Sequence, residues 1–344
     1  MFDVITIGTA TRDVFIKSLL FKVVHGLHLA EQSGIGSSTS AECFALGSKI
    51  EIDRPVLSIG GGAANSAVTF ARQGFSTASF YKVGRDEFAR DIFETLRAES
   101  VTPFPIEDKE GGTAYSTILI APTGERTVLV YRGSSDVFKK DSIPFSRLDA
   151  NAFYISPGRI PLPVMSGIVN HVKRTGALVA MNPSKYYLGF GIARLSPLFR
   201  QLDLVIVNRE EASYLTGLPY PNEKAIFRMF DEHVPGIAVM TEGKNGVIVS
   251  DGALLYRAGV FKEKEVADRT GAGDAFGSGF LAGLLRHRQG LKFREGAIEY
   301  AIRLGSANAT SVVERIGAQA GILKRDEFEK SVRWNHLRVQ YKKL

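Results

Sequence analysis

The segment Val266-Ala267-Asp268-Arg269-Thr270-Gly271-Ala272-Gly273-Asp274-Ala275-Phe276-Gly277-Ser278-Gly279-Phe280 holds the residues best suited to chemistry. Gly271 and Gly273 leave backbone N–H groups bare where a helix begins, and apolar residues at Ala275, Phe276, Phe280, Leu281, Leu284 and Leu285 mark that helix. Bare amides and the positive end of a helix dipole form an anion hole. Asp274 stands in the first turn. A carboxylate there can take a proton from an attacking hydroxyl beside a transferring phosphate, or it can simply cap the helix. Taken alone, Gly-x-Gly-Asp favours the cap.

The longer context favours the chemistry. Asp-x-Thr-Gly-Ala-Gly-Asp-Ala-Phe followed by Gly-x-Gly-Phe closely resembles the C-terminal signature of the ribokinase-like (PfkB) carbohydrate kinase family. That resemblance implies Asp274 as catalytic base, with Gly271, Ala272 and Gly273 forming the anion hole. Gly60-Gly61-Gly62-Ala63-Ala64-Asn65, by itself a turn and a helix start, is similar to the family's N-terminal Gly-Gly-x-x-x-Asn motif. The resemblance assigns Asp13, Gly61, Gly62 and Asn65 to the substrate, and makes Tyr115 and Arg132 further candidates for substrate contact.

Asn208-Arg209-Glu210-Glu211 resembles the family's Asn-x-x-Glu motif, which implies Mg²⁺ held by Glu211 through its water shell. A helix start with acids in its first turn is the structural alternative. Thr241-Glu242-Gly243-Lys244-Asn245-Gly246 is similar to the family's turn beside the nucleotide. Asn208, Thr241, Gly243, Gly246 and Asn308 are thereby implied for ATP. Asp268 and Thr270 are implied to supply oxygens to a monovalent cation, K⁺, with the run Gly317-Ala318-Gln319-Ala320-Gly321 in the same region. Asp86, in Gly84-Arg85-Asp86, reads as structural.

The elements that must position these residues alternate between short β-branched runs and longer helical patterns. Strands are expected at 2–8, 76–83, 113–120, 126–131, 152–156, 177–182, 204–208, 237–241, 246–250 and 254–258. Helices are expected at 63–73, 88–99, 163–175, 196–201, 210–216, 222–232, 274–288 and 293–313. The alternation predicts an α/β fold with a mostly parallel sheet covered on both faces. The resemblance, spanning about residues 2 to 330, implies the three-layer α/β/α ribokinase-like core and a small β-lid. On that reading residues 1–332 form the kinase domain, with the lid from parts of 14–56 and 113–132, the latter a hairpin turning at Ala121 to Glu125. Residues 333–344 form a basic tail.

The gap from Asp13 to Gly60 is longer than the family usually shows, by roughly one hairpin or loop; within it Phe21–Val56 is irregular, and the tract from Ser33 to Ser40 reads as a loop. Gly62 stands where sugar-phosphate kinases often carry lysine, which argues for an acceptor without phosphate; Arg126 and Arg132, able to grip a carboxylate or phosphate, argue the other way. Tyr115 and Phe15 offer a candidate slot for a sugar face or a base.

The remaining features bound the function. Of the formal charge of +7, more than half comes from Arg333, Arg338, Lys342 and Lys343, which read as a solvated helix end rather than a nucleic-acid arm. One cysteine, Cys43, excludes an internal disulfide and fits a reducing cytoplasm. Residues 1–8 read as a strand rather than a leader, and no apolar run would span a bilayer. There is no P-loop, no Gly-x-Gly-x-x-Gly after the first strand, no Gly-x-Ser-x-Gly, and no zinc spacing among six histidines. Three readings stay open: a kinase of a neutral or acidic sugar, a nucleoside kinase, and a non-catalytic binding relative. Family precedent leaves room for a homodimer.

Overall fold

The computed structural model describes residues 1–30, 37–123, 126–136, 138–290 and 292–344. In chain order the strands begin with β1 (Phe2–Gly8), β2 (Thr11–Lys17), β3 (Lys22–Ala30), β4 (Ser37–Cys43), β5 (Val56–Gly60), β6 (Thr77–Val83), β7 (Val101–Glu107), β8 (Tyr115–Ile120) and β9 (Arg126–Tyr131). They continue with β10 (Ala150–Ser156), β11 (Leu178–Met181), β12 (Leu204–Asn208), β13 (Ile237–Thr241), β14 (Val247–Ser250), β15 (Leu254–Ala258), β16 (Arg288–Gln289), β17 (Lys292–Phe293) and β18 (Val339–Lys343). The helices are α1 (Gly62–Arg72), α2 (Glu87–Ala98), α3 (Leu162–Lys173), α4 (Lys185–Leu188), α5 (Ile192–Phe199), α6 (Arg209–Thr216), α7 (Glu223–Glu232), α8 (Ala272–Arg286), α9 (Ala297–Val313) and α10 (Arg325–Glu329).

Runs such as Leu-Val-Ile-Val and Ile-Ala-Val-Met are apolar at every position because both faces of their strands are covered. They build a ten-stranded sheet in the order β18-β15-β14-β13-β12-β11-β10-β1-β6-β7. The stretch from β7 through β13 is parallel, and the β14, β15 and β18 edge is antiparallel. Alternate residues serve different layers. Ile5 and Ile7 belong to the core layer that includes residues of α3, α5 and α7, whereas Val4 and Tyr154 belong to the layer that includes α8 and α9. The expected three-layer α/β/α core is therefore present.

Helices α8 and α9 approach closely. A Cβ on Gly283 would fall 2.6 Å from the Ala301 Cα, and one on Gly279 would fall 3.1 Å from the Gly305 Cα. This contact fixes the axis of α8 and so the position of its first turn.

A separate four-stranded sheet, β5-β2-β8-β9, stands over the carboxyl end of β1. The hairpin of β8 and β9 was expected; the strands β2 and β5 beside it were not read from the sequence. Gly124 and Glu125 of its turn lie outside the described residues, as do residues 31–36. The extra length before β5 is a hairpin, β3 with β4, so residues 37–40 are strand rather than loop. Strand β7 was also missed, because Pro103 and Pro105 interrupt its run; it is the sheet's edge, where proline is tolerated.

The basic terminus corrects the expectation of a solvated helix end. It forms a 3-10 turn at Val332–Asn335 and then β18, paired antiparallel with β15. Trp334 is buried edge-on against Phe261 at 5.0 Å, with the Arg333 guanidinium over its ring. Trp334→Ala is expected to cost about 3–5 kcal/mol of stability in urea unfolding; a value near zero would mean that the terminus does not pack.

Candidate active site

The loop entering α8 is tied down before the helix starts. Ala267 and Asp268 donate their amides to the Val313 carbonyl at the end of α9. Gly271 is the N-cap at φ +79°, and a Cβ there would fall 2.4 Å from that of Ala318, so both conformation and space require glycine. The first full helical bond runs from the Ala275 amide to the Gly271 carbonyl. Before it, the Ala272 amide reaches the Arg269 carbonyl at a long 3.5 Å, and the amides of Gly273 and Asp274 lie in the turn whose N–H groups lack intrahelical acceptors. Asp274 is thus the third residue of the helix, not its cap.

The Asp274 carboxylate receives the Asn65 amide at 3.0 Å, and the Asn65 carbonyl oxygen accepts from Gln319 at 3.0 Å. Burial pushes the Asp274 carboxyl above its usual range, while the Asn65 amide pulls it down. Helix α1, capped by Gly61, brings its first turn to the same point. There Thr9 accepts the amides of Gly62 and Ala63. A Cβ on Gly62 would be 3.4 Å from Asp274 Oδ1 and 2.6 Å from the Ser156 hydroxyl. Ser156, at the end of β10, is buried, and its hydroxyl has no partner among the described residues; it was not legible in the sequence.

Asp13 lies not just beyond β1 but within β2, buried, with the Thr11 hydroxyl donating to it at 3.0 Å and Ser116 beside it. Burial raises its carboxyl, as does the charge of Asp268. Phe15 shares this face and is buried. Tyr115 does not: it leaves β8 on the face opposite Ser116 and packs against Phe88 of α2 and Tyr131 at 5.6 and 5.4 Å. The slot expected from Tyr115 and Phe15 together is therefore not assembled. Arg132 is exposed just beyond β9.

Across Gly273 lies a cavity of about 520 Å³ lined by Asn208, Thr241, Gly243, Gly246, Ala272 and Thr310, among others. The first four were expected to meet ATP, and the structure gathers them. Asn308 corrects its assignment. It is fully buried, donating to Thr69 and the Ala275 carbonyl and accepting from the Leu323 amide, so it braces α1, α8 and the last loop. α9 presents Ser306, Ala309, Thr310 and Val313 to the cavity instead. Arg209, unremarked in the sequence, forms an ion pair with Glu242 and stacks on Tyr220 at one wall.

Glu211 makes a capping box on α6: its carboxylate accepts the Asn208 amide at 2.8 Å, and the Asn208 side chain accepts the Glu211 amide at 2.8 Å. The structural alternative is thus present, yet it leaves one carboxylate oxygen over. Burial first, and then the charge of Asp274, push the Glu211 carboxyl up to about 7. Among the described residues neither Asp274 nor Glu211 has an ion-pair partner. Two half-buried carboxylates near the bare amides of the α8 turn fit a hydrated divalent cation.

The monovalent-cation expectation fares differently. Asp268 Oδ1 accepts from the Thr270 amide and hydroxyl and from Arg126 Nη1 at 3.2 Å, and Oδ2 accepts the Gly317 amide. Thr270 therefore donates to Asp268, and a guanidinium stands on the carboxylate. With the Arg126 guanidinium in place these residues do not fit a bound K⁺. Asp86 is structural as expected: it caps α2 and holds Thr113.

Two outcomes test this electrostatic picture. In Asn65→Ala, loss of a donor to the ionised carboxylate should move the Asp274 carboxyl NMR titration to higher pH; no movement would separate the two groups. Because the folded state raises the Glu211 carboxyl from 4.5 to about 7, its ionisation disfavours folding as pH rises through that window. Glu211→Gln, which keeps an oxygen for the cap, should then melt higher than wild type at pH 8 in chelator and no higher near pH 4.

The comparisons agree with this geometry. Residues 35–325 match the family model described as pfkB family carbohydrate kinase. The cytidine kinase of Thermococcus kodakarensis is 30% identical, over 77% of this chain and 91% of its own. The ribokinase of Staphylococcus aureus is 25% identical, over 80% and 89%. Among solved structures, the adenosine kinase of Sinorhizobium meliloti superposes with a TM-score of 0.75 at 22% identity, covering 96% of this chain and 99% of that one, which speaks for the fold. No helix among the described residues is long and apolar enough to cross a membrane. The chain belongs to the pfkB family of carbohydrate kinases, and is an ATP-dependent phosphotransferase acting on a sugar or nucleoside.

Proposed function

We propose that this kinase phosphorylates a hydroxyl of a small, uncharged sugar, with Asp274 as the base. The observation that carries the reading is the Asp274 carboxylate, half-buried in the first turn of α8, bonded to Asn65, and flanked by the nucleotide-sized cavity at Gly273. An acceptor hydroxyl placed between Asp13 and Asp274 gives its proton to the Asp274 carboxylate. Its oxygen bonds to the γ-phosphorus as the bond to the ADP oxygen breaks. The amides at Gly271, Ala272 and Gly273 face the charge that spreads over the transferring oxygens. Mg²⁺ bound with ATP neutralises phosphate charge, and the spare oxygen of Glu211 is the group that would hold its water shell. Asn208, Thr241, Gly243 and Gly246 shape the wall on which the nucleotide lies.

The acceptor face supports a polyol. Asp13, Ser116, Ser58 and Asn65 are short hydrogen-bonding groups, and Gly62 offers no cation for a phosphate. A nucleoside is the second reading. Val128 and Val130 are 43% and 51% exposed on the Asp13 face of the small sheet, an apolar roof suited to a base, and a cytidine kinase is among the relatives. The small sheet acts as a lid that excludes water from the transfer. The exposed edge of β9 leaves room for a second copy to pair there.

ADP release with Mg·ATP is to be measured against pentoses, hexoses, sugar acids, sugar phosphates and nucleosides, with Asp274→Asn in parallel. A neutral sugar should be the substrate, and Asp274→Asn should lose roughly 10²–10⁴-fold in turnover while still binding ATP. Preference for a nucleoside would select the second reading. Near-normal turnover by Asp274→Asn would remove the base from Asp274.

A further inference from the structure

Arg126 opens β9 opposite Ile120, on the face of the small sheet that carries Ser116 and Asp13. Its guanidinium crosses to Asp268 on the core, whose side chain is 4% exposed while that of Arg126 is 36% exposed. Asp268 thereby joins three segments: the lid through Arg126, the loop entering α8 through Thr270, and the last loop through the Gly317 amide. The last loop continues the connection. Ala318 packs against Gly271 at the anion hole, and Gln319 holds Asn65, which holds Asp274.

The Asp268 carboxylate must keep a counter-charge, since a buried, uncompensated anion would repel both Asp13 and the incoming phosphates. The family resemblance gives that duty to a monovalent cation bound at Asp268 and Thr270. In this chain the Thr270 hydroxyl points its proton at Asp268, and a planar guanidinium completes the carboxylate's donors.

We propose that Arg126 is a built-in replacement for the monovalent cation, and that it positions the α8 anion hole without K⁺. The charge is carried by the lid, so it reaches Asp268 only when β9 lies over the site. Anion-hole order is thus coupled to lid closure rather than to the ionic composition of the solution. Arg126 acts through Asp268 and the last loop and is a positioning residue. This inference rests on the kinase reading for its rate arm but not for its binding arm.

The test replaces KCl by tetramethylammonium chloride at constant ionic strength, for wild type, Arg126→Lys and Arg126→Ala. In thermal unfolding, wild type and Arg126→Lys should melt alike in the two salts, whereas Arg126→Ala should melt higher in KCl by roughly 2 °C or more as K⁺ fills the vacated site. In turnover with Mg·ATP and the acceptor from the panel, wild type should be indifferent to the exchange. Arg126→Ala should lose roughly ten- to a hundredfold in tetramethylammonium and recover in KCl. A wild type stabilised or accelerated by K⁺ overturns the proposal. So does an Arg126→Ala protein whose melting ignores K⁺, or whose lost turnover K⁺ fails to restore. If no acceptor in the panel is phosphorylated, the melting arm still decides about Arg126 while the kinase assignment fails on its own.

Discussion

A half-buried carboxylate with no ion-pair partner among the described residues is held only by hydrogen bonds and the local dipole, and Asp274 is in that position. Desolvation pushes its proton affinity up, one amide from Asn65 pulls it down, and the positive end of α8 lies along its own backbone. Much of the molecule is arranged around keeping that group in place. The close α8–α9 contact sets the height of the turn, Gly271 admits Ala318 beneath it, and Gln319 fixes the Asn65 amide that bonds it. Glu211 is a second carboxylate in the same predicament, pushed up partly by Asp274 itself. The pair is poised for a divalent cation and for anionic phosphates that bring their own counter-ion.

The parallel sheet explains why these residues converge. β1, β10 and β12 end at the same edge, so Thr9, Ser156 and Asn208 emerge together although they are far apart in sequence. Helix N-termini follow such strand ends, and α1, α6 and α8 all point their first turns toward the crevice. The small sheet then supplies from above what the crevice lacks: a buried Asp13, a row of hydroxyls, and the guanidinium of Arg126.

Many elements were legible in the primary sequence because local chemistry decides them. The runs at 2–8, 204–208 and 237–241 coincide with strands of the main sheet, since continuous apolar stretches have one good destination in a covered sheet, and the run at 126–131 coincides with β9 because a turn signal and a matching strand precede it. The strands β2, β5 and β18 were hidden because edge and lid strands carry mixed polar residues whose pairing partners are distant. Charge at the terminus looked like solvation, yet Trp334 and Tyr341 anchor it to β15 and Phe261.

The family, the glycine loop and Asp274 itself were determined by the sequence alone, because spacing within one turn is a local matter. Partnership was decided by tertiary structure. Asn308 has the right composition for a ligand contact, but three buried groups consume its amide. Tyr115 has the right ring, but strand alternation turns it away from Asp13. Asp268 and Thr270 have the right oxygens for a cation, but Arg126, 142 residues from Asp268 in the chain, is folded onto the Asp268 carboxylate. Which groups share a site depends on register and on which strand lies over which loop, and those are properties of contacts across the whole chain rather than of any one segment.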